Sequence, residues 1–130
     1  MKNLFSLLVL LSFATSGLAQ EEPKILDATD LTTLRDHADT EVVVEGFVTE
    51  IGRTKSNSIT FINIGLPKKE GFVALIYEKD YSAFPEAFNI YEKKKVRVKG
   101  MLKLYRNETP QVVMTSPEQI EIVEGGEDGE

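Results

Sequence analysis

Two segments of the chain share one pattern of apolar and polar positions. Residues 42–48 (VVVEGFV) and 96–102 (VRVKGML) both follow Val-x-Val-charged-Gly-x-apolar. Apolar residues that alternate with polar ones place one set of side chains on each face of a β-strand, and a glycine inside a strand is typical of a bulge or a tight barrel corner. The pattern therefore predicts two long strands that bend at Gly46 and Gly100, within a small antiparallel barrel.

Further strands and a short helix surround these two segments. Asp27 or Asp30 can cap a brief helix in which Leu31, Leu34 and Ala38 recur at steps of three and four residues. We expect this helix to plug one end of the barrel. The predicted strands cover residues 41–53, 58–64, 72–77, 95–105 and 110–115, and an edge segment covers residues 120–123.

Residues 78–91 interrupt the alternation between the third and fourth strands. Asp80 can cap a short helical turn, and Pro85 either ends that turn or opens a second one. The interruption therefore predicts a second helical plug at this point of the chain.

The order of elements, with a helix, three strands, a helix and two strands, is that of an oligonucleotide- or oligosaccharide-binding (OB) barrel. A further set of segments carries a resemblance: residues 42–46, 61–65, 84–85, 95–100, 104–106, 110–113 and 117–120. Through these segments the chain, over residues 25–123, resembles the nucleic-acid-binding OB-fold family of the tRNA-anticodon type, although it has residues 92–95 (EKKK) where these sequences commonly have glycine. The resemblance implies an all-β fold with short helices, built as a five-stranded OB-fold barrel.

The first 19 residues have the layout of a secretory signal peptide. A basic start at Lys2 is followed by a brief apolar run, and small residues precede a cut site after Ala19. A membrane span needs about 20 apolar residues, and Ser12 and Thr15 break this run too early. We therefore expect a secreted or periplasmic chain with no stable membrane insertion. The predicted divisions are a signal peptide at 1–19, an acidic segment with a short helix at 20–40, the barrel at 41–123 and an acidic disordered tail at 124–130.

The charge of the chain is unevenly distributed, and its sequence contains no cysteine. The chain has a formal net charge of −6, yet residues 42–117 hold 12 Lys and Arg against 8 Asp and Glu. The central region is therefore basic, and the negative charge lies in the segments on either side. Because the chain has no cysteine, no disulfide supports the fold in an oxidising compartment.

The predicted binding surface combines basic loops with aromatic side chains. OB-folds commonly bind across the second and third strands, between the first and last loops. Cations there can contact phosphates, and stacking on an aromatic ring is worth about 1 to 3 kcal/mol per base. The resemblance and these residues predict binding of single-stranded nucleic acid or another polyanion. The candidate residues are Arg53, Lys55, Asn57, Phe61, Tyr77, Lys103, Tyr105 and Arg106, with Phe72 as a further aromatic.

Two other interpretations of these residues stay open. An aromatic residue on an alternating strand can equally fill the core, and the lysines of residues 93–95, with Arg97 and Lys99, can equally form a solvated face that protects an edge. Because export is expected, the barrel can instead be an envelope module that binds a partner protein, a peptide, a glycan or another small ligand.

Catalysis and a bound cofactor are not expected. His37 is the sole histidine and lies at the end of the first predicted helix, and no nucleophile elbow, phosphate loop or zinc motif is present. The acidic residues around that helix lack the spacing of a calcium loop. We therefore predict a binding module without enzymatic activity, metal or cofactor.

Overall fold

The computed structural model describes residues 24–67 and 70–123, so the predicted signal peptide and the predicted tail lie outside the described residues. Its strands are β1 (Ile25–Asp27), β2 (Glu41–Arg53), β3 (Ile59–Ile64), β4 (Phe72–Tyr77), β5 (Lys95–Tyr105), β6 (Thr109–Val113) and β7 (Ile120–Ile122). One α-helix, α1 (Leu31–Asp36), and three 3-10 helices (Glu78–Ala83, Phe88–Tyr91 and Pro117–Gln119) complete the described elements.

These strands form one mixed sheet in the order β1-β2-β3-β4-β6-β5-β7. β2 also pairs with β5, so the pairings of β2, β3, β4, β6 and β5 return to their starting strand as a partial ring. β1 pairs with β2 and β4 pairs with β6 in parallel, whereas the other pairs are antiparallel. The prediction of a mostly β fold with short helices is confirmed.

The two repeated segments pair with each other. Val44 lies opposite Val98, and each glycine lies opposite a valine of the other segment, Gly46 with Val96 and Gly100 with Val42. The alternate valines Val42, Val44, Val48, Val96 and Val98 are buried, whereas Val43 between them is only partly buried. Strict alternation requires this when one face of a sheet covers the core. Both segments are strands, as their pattern predicts, and the structure adds that they pair directly with each other.

The two glycines allow close packing at the places where β2 and β5 change partners. A Cβ atom at Gly46 would lie 2.6 Å from Ala28 Cβ, and one at Gly100, where φ is +155°, would lie 2.6 Å from Val112 Cγ1. β2 leaves β5 and joins β3 at Val48, and its register shift falls between Val48 and Glu50. The bulge of β2 therefore follows Gly46, while Gly46 itself serves the close approach of Ala28.

The helix α1 forms as its capping signal predicted. Asp30 is the N-cap residue, and its Oδ1 accepts a hydrogen bond from Thr33 N at 3.2 Å. Leu34 is fully buried, and the helix contacts β6 and β1. His37 is the C-cap residue, and its Nδ1 lies 2.9 Å from the Thr33 carbonyl oxygen.

The predicted plug between β4 and β5 consists of two 3-10 helices. Phe84, Phe88 and Tyr91 are buried in the core, and the Phe84 and Phe88 rings lie 5.2 Å apart. The predicted cap at Asp80 is wrong, because the first helix already begins at Glu78 and Asp80 lies within it, without a side-chain cap. Aromatic burial, rather than capping, holds this segment in place.

The core lies inside the partial ring, under α1 and the two 3-10 helices that follow β4. Among its largest fully buried side chains are Phe72, Leu34, Ile62, Ile64, Ile76, Leu102 and Met114. The suggestion that Phe72 stacks on a ligand is therefore wrong, since its ring faces the core. In the described part of the chain, no helix has the length and apolar character required to cross a membrane.

Candidate functional site

An apolar groove of about 300 Å³ crosses the outer face of β3, β4 and β6 and the end of β5. On β3 and β4 the residues of this face alternate with fully buried core residues such as Ile62 and Ile76. Three of the predicted site residues line this groove: Phe61 of β3, Tyr77 of β4 and Tyr105 of β5. The groove, called the aromatic groove below, is lined by Ile59, Phe61, Val73, Leu75, Tyr77, Tyr105, Thr109 and Gln111.

The register of the strands sets the walls of the aromatic groove. Ile59 lies opposite Tyr77, and Phe61 lies opposite Leu75. The Tyr77 and Tyr105 side chains keep large exposed fractions of 37% and 51%. Because aromatic rings are usually buried, two half-exposed tyrosines beside a partly buried phenylalanine form a surface suited to a flat ligand.

The turn from β5 to β6 places a cation beside this surface. Arg106 and Asn107 have φ values of 55° and 63°, and Glu108 N donates to Tyr105 O at 3.0 Å. Two successive left-handed residues are typical of a tight type I′ hairpin turn. The Arg106 guanidinium carbon lies 5.1 Å from the centroid of the Tyr105 ring, and Arg35 Nε donates to Glu108 O at 2.9 Å, which ties the turn to α1.

Lys55 and Asn57 are exposed in the turn between β2 and β3, at the Ile59 end of the groove. Asn57 has a φ of 68° and its backbone nitrogen donates to Thr54 O at 2.8 Å. Asparagine tolerates the left-handed conformation better than most residues, so Asn57 shapes this turn. The Lys55 side chain is solvent-exposed beside it.

Arg53 lies apart from the aromatic groove. In the pairing of β2 with β3, Gly52 lies opposite Phe61 while Arg53 lies opposite the buried Thr60. The Arg53 guanidinium carbon instead lies 5.1 Å from the centroid of the Tyr81 ring. A cation over the face of the Tyr81 ring stabilises the 3-10 helix that contains Tyr81. The structure therefore places Arg53 beside Tyr81 rather than beside the aromatic residues of the groove.

Lys103 is close to the groove, but an acidic residue offsets its charge. Its Nζ lies 3.0 Å from Asp39 Oδ1, and the two side chains are 63% and 75% exposed. Exposed ion pairs of this kind contribute about 1 kcal/mol or less. The positive charge around the groove is therefore smaller than a count of lysines and arginines predicts.

Five lining residues of the groove were missed at the sequence level: Ile59, Val73, Leu75, Thr109 and Gln111. A usable signal was present in β4, whose six residues FVALIY are all apolar or aromatic. A strand without a polar face is covered on both sides. That pattern predicts an apolar outer face, either packed against another element or used for binding.

A second group of charges lies on the outer face of the β2–β5 pair. Glu45 accepts a hydrogen bond from Arg97 Nε at 2.8 Å, and Lys95 Nζ lies 3.2 Å from its other carboxylate oxygen. The Arg97 hydrogen bond, with a further contribution from Lys95, holds the pKa of Glu45 below its ordinary value despite partial burial. Two cations of the basic run are therefore paired rather than free.

The turn before β5 departs from the sequences it resembles in a way that the structure explains. Lys93 has a φ of 63°, in the left-handed region that favours glycine. Its backbone nitrogen donates to Val48 O at 3.2 Å. The lysine thus adopts the conformation for which a glycine is commonly used there.

Within residues 24–67 and 70–123, no group of three or more histidine, aspartate or glutamate side chains is arranged to hold a metal ion. Asp27 and Asp30 instead accept hydrogen bonds from Thr29 and Thr33. The backbone hydrogen bond from Thr29 lowers the pKa of the Asp27 carboxyl. These carboxylates cap the turn and the helix that follow β1.

Three solved structures are similar to this chain in three dimensions. The "putative aspartyl-tRNA synthetase" from Leishmania major Friedlin has a TM-score of 0.51 and 11% identity, over 81% of this chain and 21% of that one. Aspartyl tRNA synthetase from Entamoeba histolytica has a TM-score of 0.49 and 15% identity, over 75% and 21%. An OBody bound to hen egg-white lysozyme has a TM-score of 0.47 and 19% identity, over 80% and 98%.

These comparisons bear on the fold. No family model matches the sequence, and no curated protein matches it. The chain spans about a fifth of the length of either synthetase. The Leishmania structure has the highest TM-score of the three, and at 11% identity its similarity to this chain concerns the architecture alone. The chain thus shares the fold of a segment of that protein.

Proposed function

We propose that the chain is a secreted or periplasmic OB-fold module that binds single-stranded nucleic acid in the aromatic groove, without catalysis. The observation that carries this proposal is the convergence of Phe61, Tyr77 and Tyr105 on one groove. Stacked bases need flat apolar faces that solvent can reach, and every base can use them whatever its sequence.

The strand order supports the architectural part of the proposal. The partial ring passes through β2, β3, β4, β6 and β5 and returns to β2. We interpret this ring as the five-stranded OB barrel, with β1 and β7 as additional edge strands. The Leishmania neighbour is named as a tRNA synthetase, which supports nucleic acid as the class of ligand, and the groove lies on the face that OB-folds commonly use.

Stacking, rather than charge, supplies most of the affinity in this proposal. Arg106 stands next to Tyr105 and Lys55 is exposed at the opposite end, whereas Arg53 and Lys103 have other partners. Each phosphate contact to a single strand contributes a salt slope of about −0.7. With one or two such contacts, we expect a slope of roughly −1 rather than a steep dependence on salt.

Fluorescence anisotropy with a labelled single-stranded oligonucleotide tests the proposal. Tyr77→Ala and Tyr105→Ala should each weaken binding by roughly 5- to 150-fold, because each removes a stacking surface worth about 1 to 3 kcal/mol. Phe47→Ala is the matched control, since Phe47 is also 37% exposed but lies on the face of the β2–β5 pair. Absence of binding at low salt, or an equal effect of Tyr77→Ala and Phe47→Ala, would exclude the groove as a nucleic-acid site.

The apolar character of the groove favours a second candidate, an envelope module for a partner protein or a small ligand. Apart from Thr109 and Gln111, its lining residues are apolar or aromatic, and such a surface also suits an extended apolar peptide. The two candidates differ in one assay. A peptide or small-ligand site predicts that an apolar peptide changes the fluorescence of Tyr77 and Tyr105 while oligonucleotides leave it unchanged.

A further inference from the structure

Two polar side chains interrupt the apolar lining of the aromatic groove. Gln111 lies within β6, between Val73 of β4 and Lys103 of β5, and Thr109 lies opposite Tyr105. Gln111 is partly buried, and within the described residues its side-chain amide makes no hydrogen bond. Its amide is not among the buried atoms that lack a partner, so it is open to solvent and available to a ligand that replaces water.

The chemistry of a primary amide selects among the parts of a nucleotide. The amide offers a carbonyl acceptor and an NH₂ donor side by side. Phosphate oxygens only accept hydrogen bonds, so a phosphate would leave the amide carbonyl unused. The edge of a base presents donors and acceptors next to each other, and glutamine pairs with such an edge through two hydrogen bonds.

We propose that Gln111 is a specificity-determining residue that binds the edge of a base stacked in the aromatic groove. This inference rests on the proposed function and adds sequence preference to it. The rings of Phe61, Tyr77 and Tyr105 hold the base by its faces, and Gln111 contacts its edge from within the groove. The phosphates then lie outward, on the side of Arg106 and solvent.

Binding of oligoadenylate, oligocytidylate and oligothymidylate of equal length tests this inference. The wild-type chain should prefer its best base over its worst by at least 5-fold, because one bidentate pair discriminates by about 1 to 3 kcal/mol. Gln111→Met keeps the length of the side chain but removes the amide. It should bring the three affinities to within about 2-fold of one another, mainly through weaker binding of the preferred base, with an unchanged salt slope.

Two controls separate selectivity from general damage. Asn89→Ala removes an exposed amide from the groove that contains Arg53 and Phe88, and it should leave the wild-type preference intact. An oligonucleotide of the same length without bases should bind much more weakly than the preferred one. Gln111→Thr, which suits a β-strand, repeats the test if Gln111→Met does not fold.

The outcomes distinguish this inference from the proposed function. Equal affinity of the wild-type chain for the three oligonucleotides would overturn the role of Gln111 and leave stacking in place. So would a wild-type preference that persists in both Gln111 variants, or tight binding of the strand without bases. Absence of binding to any of them would overturn both proposals.

Discussion

Gln119 connects three segments of the chain through one side-chain amide. Its Oε1 accepts hydrogen bonds from Thr115 N at 2.8 Å and Ser116 N at 3.3 Å, and its Nε2 donates to Lys99 O at 3.0 Å. The amide also fills the space beside Gly100, where a Cβ atom would lie 2.9 Å from Nε2. A glycine in β5 and a glutamine after β6 therefore form one structural unit.

We expect Gln119→Ala to lower the free energy of unfolding by about 1 to 3 kcal/mol, because several backbone groups lose their partner at once. Chemical denaturation measures this difference. Glu118→Ala, which removes an exposed side chain from the same 3-10 helix, is the control and should change stability by about 0.5 kcal/mol or less. Equal effects of the two variants would show that the Gln119 amide contributes nothing specific.

At the residue scale, the sequence predicted the aromatic part of the candidate site better than the cationic part. Phe61, Tyr77 and Tyr105 line one groove because strand alternation fixes the face of each residue. The prediction for Arg53 and Lys103 rests on their charge and on their position beside the loops, but each has a partner, Tyr81 or Asp39. Long charged side chains reach several neighbours, and which one they contact depends on tertiary structure that no local pattern encodes.

At the scale of elements, the β2–β5 pair combines a buried valine face with an outer face of opposite charges. Glu45 lies directly opposite Arg97 in the register and is held by Arg97 and Lys95 at 2.8 and 3.2 Å. Opposite charges across an antiparallel pair stabilise the register, whereas like charges oppose it. The basic run of β5 is therefore compatible with strand pairing because β2 supplies a carboxylate.

Glu45→Gln should reduce stability at neutral pH by about 1 kcal/mol or less, since the ion pairs are partly exposed. The pKa of Glu45 is lower in the folded chain than its ordinary value. Its contribution is therefore present above the unfolded pKa and is lost as the pH falls through the folded pKa. The stability difference between wild type and variant should shrink as the pH falls below 4.5, the ordinary pKa of a glutamate side chain.

Denaturant unfolding at several pH values measures this difference, with Glu92→Gln as the control because Glu92 is exposed outside the pair. If the difference in the free energy of unfolding between wild type and Glu45→Gln stays constant from pH 7 down to pH 3, folding does not lower the pKa of Glu45 and the prediction is wrong.

Strong periodicity made most elements predictable, and its absence explains the others. β2, β4 and β5 have their predicted bounds, and β3 and β6 differ from theirs by one or two residues. β1 was missed because three residues with one buried position, Leu26, give too short a pattern. β1 pairs with β2, and Ala28, which follows β1, packs against Gly46. Both contacts join residues that are distant in sequence, so the periodicity of the sequence does not reveal them.

At the scale of the whole molecule, the described fold begins after the predicted cut site. β1 starts at Ile25, and cleavage after Ala19 would leave every described strand and helix intact. The chain has no cysteine, so its stability rests on the core inside the partial ring in reducing and oxidising compartments alike. Removal of the first 19 residues should therefore have no effect on folding.

Export of the full chain from a bacterial host tests the proposed localisation. We expect a periplasmic product whose mass corresponds to a chain that begins at Gln20, because the basic start, the apolar run and the small residues before the cut are the features that signal peptidase requires. Ala19→Arg should block cleavage and leave a longer product. The purified chain of residues 20–130 should unfold at the same temperature with and without a reducing agent. Recovery of an uncleaved product of 14.5 kDa in the cytoplasmic fraction would exclude export and would place any nucleic-acid ligand inside the cell.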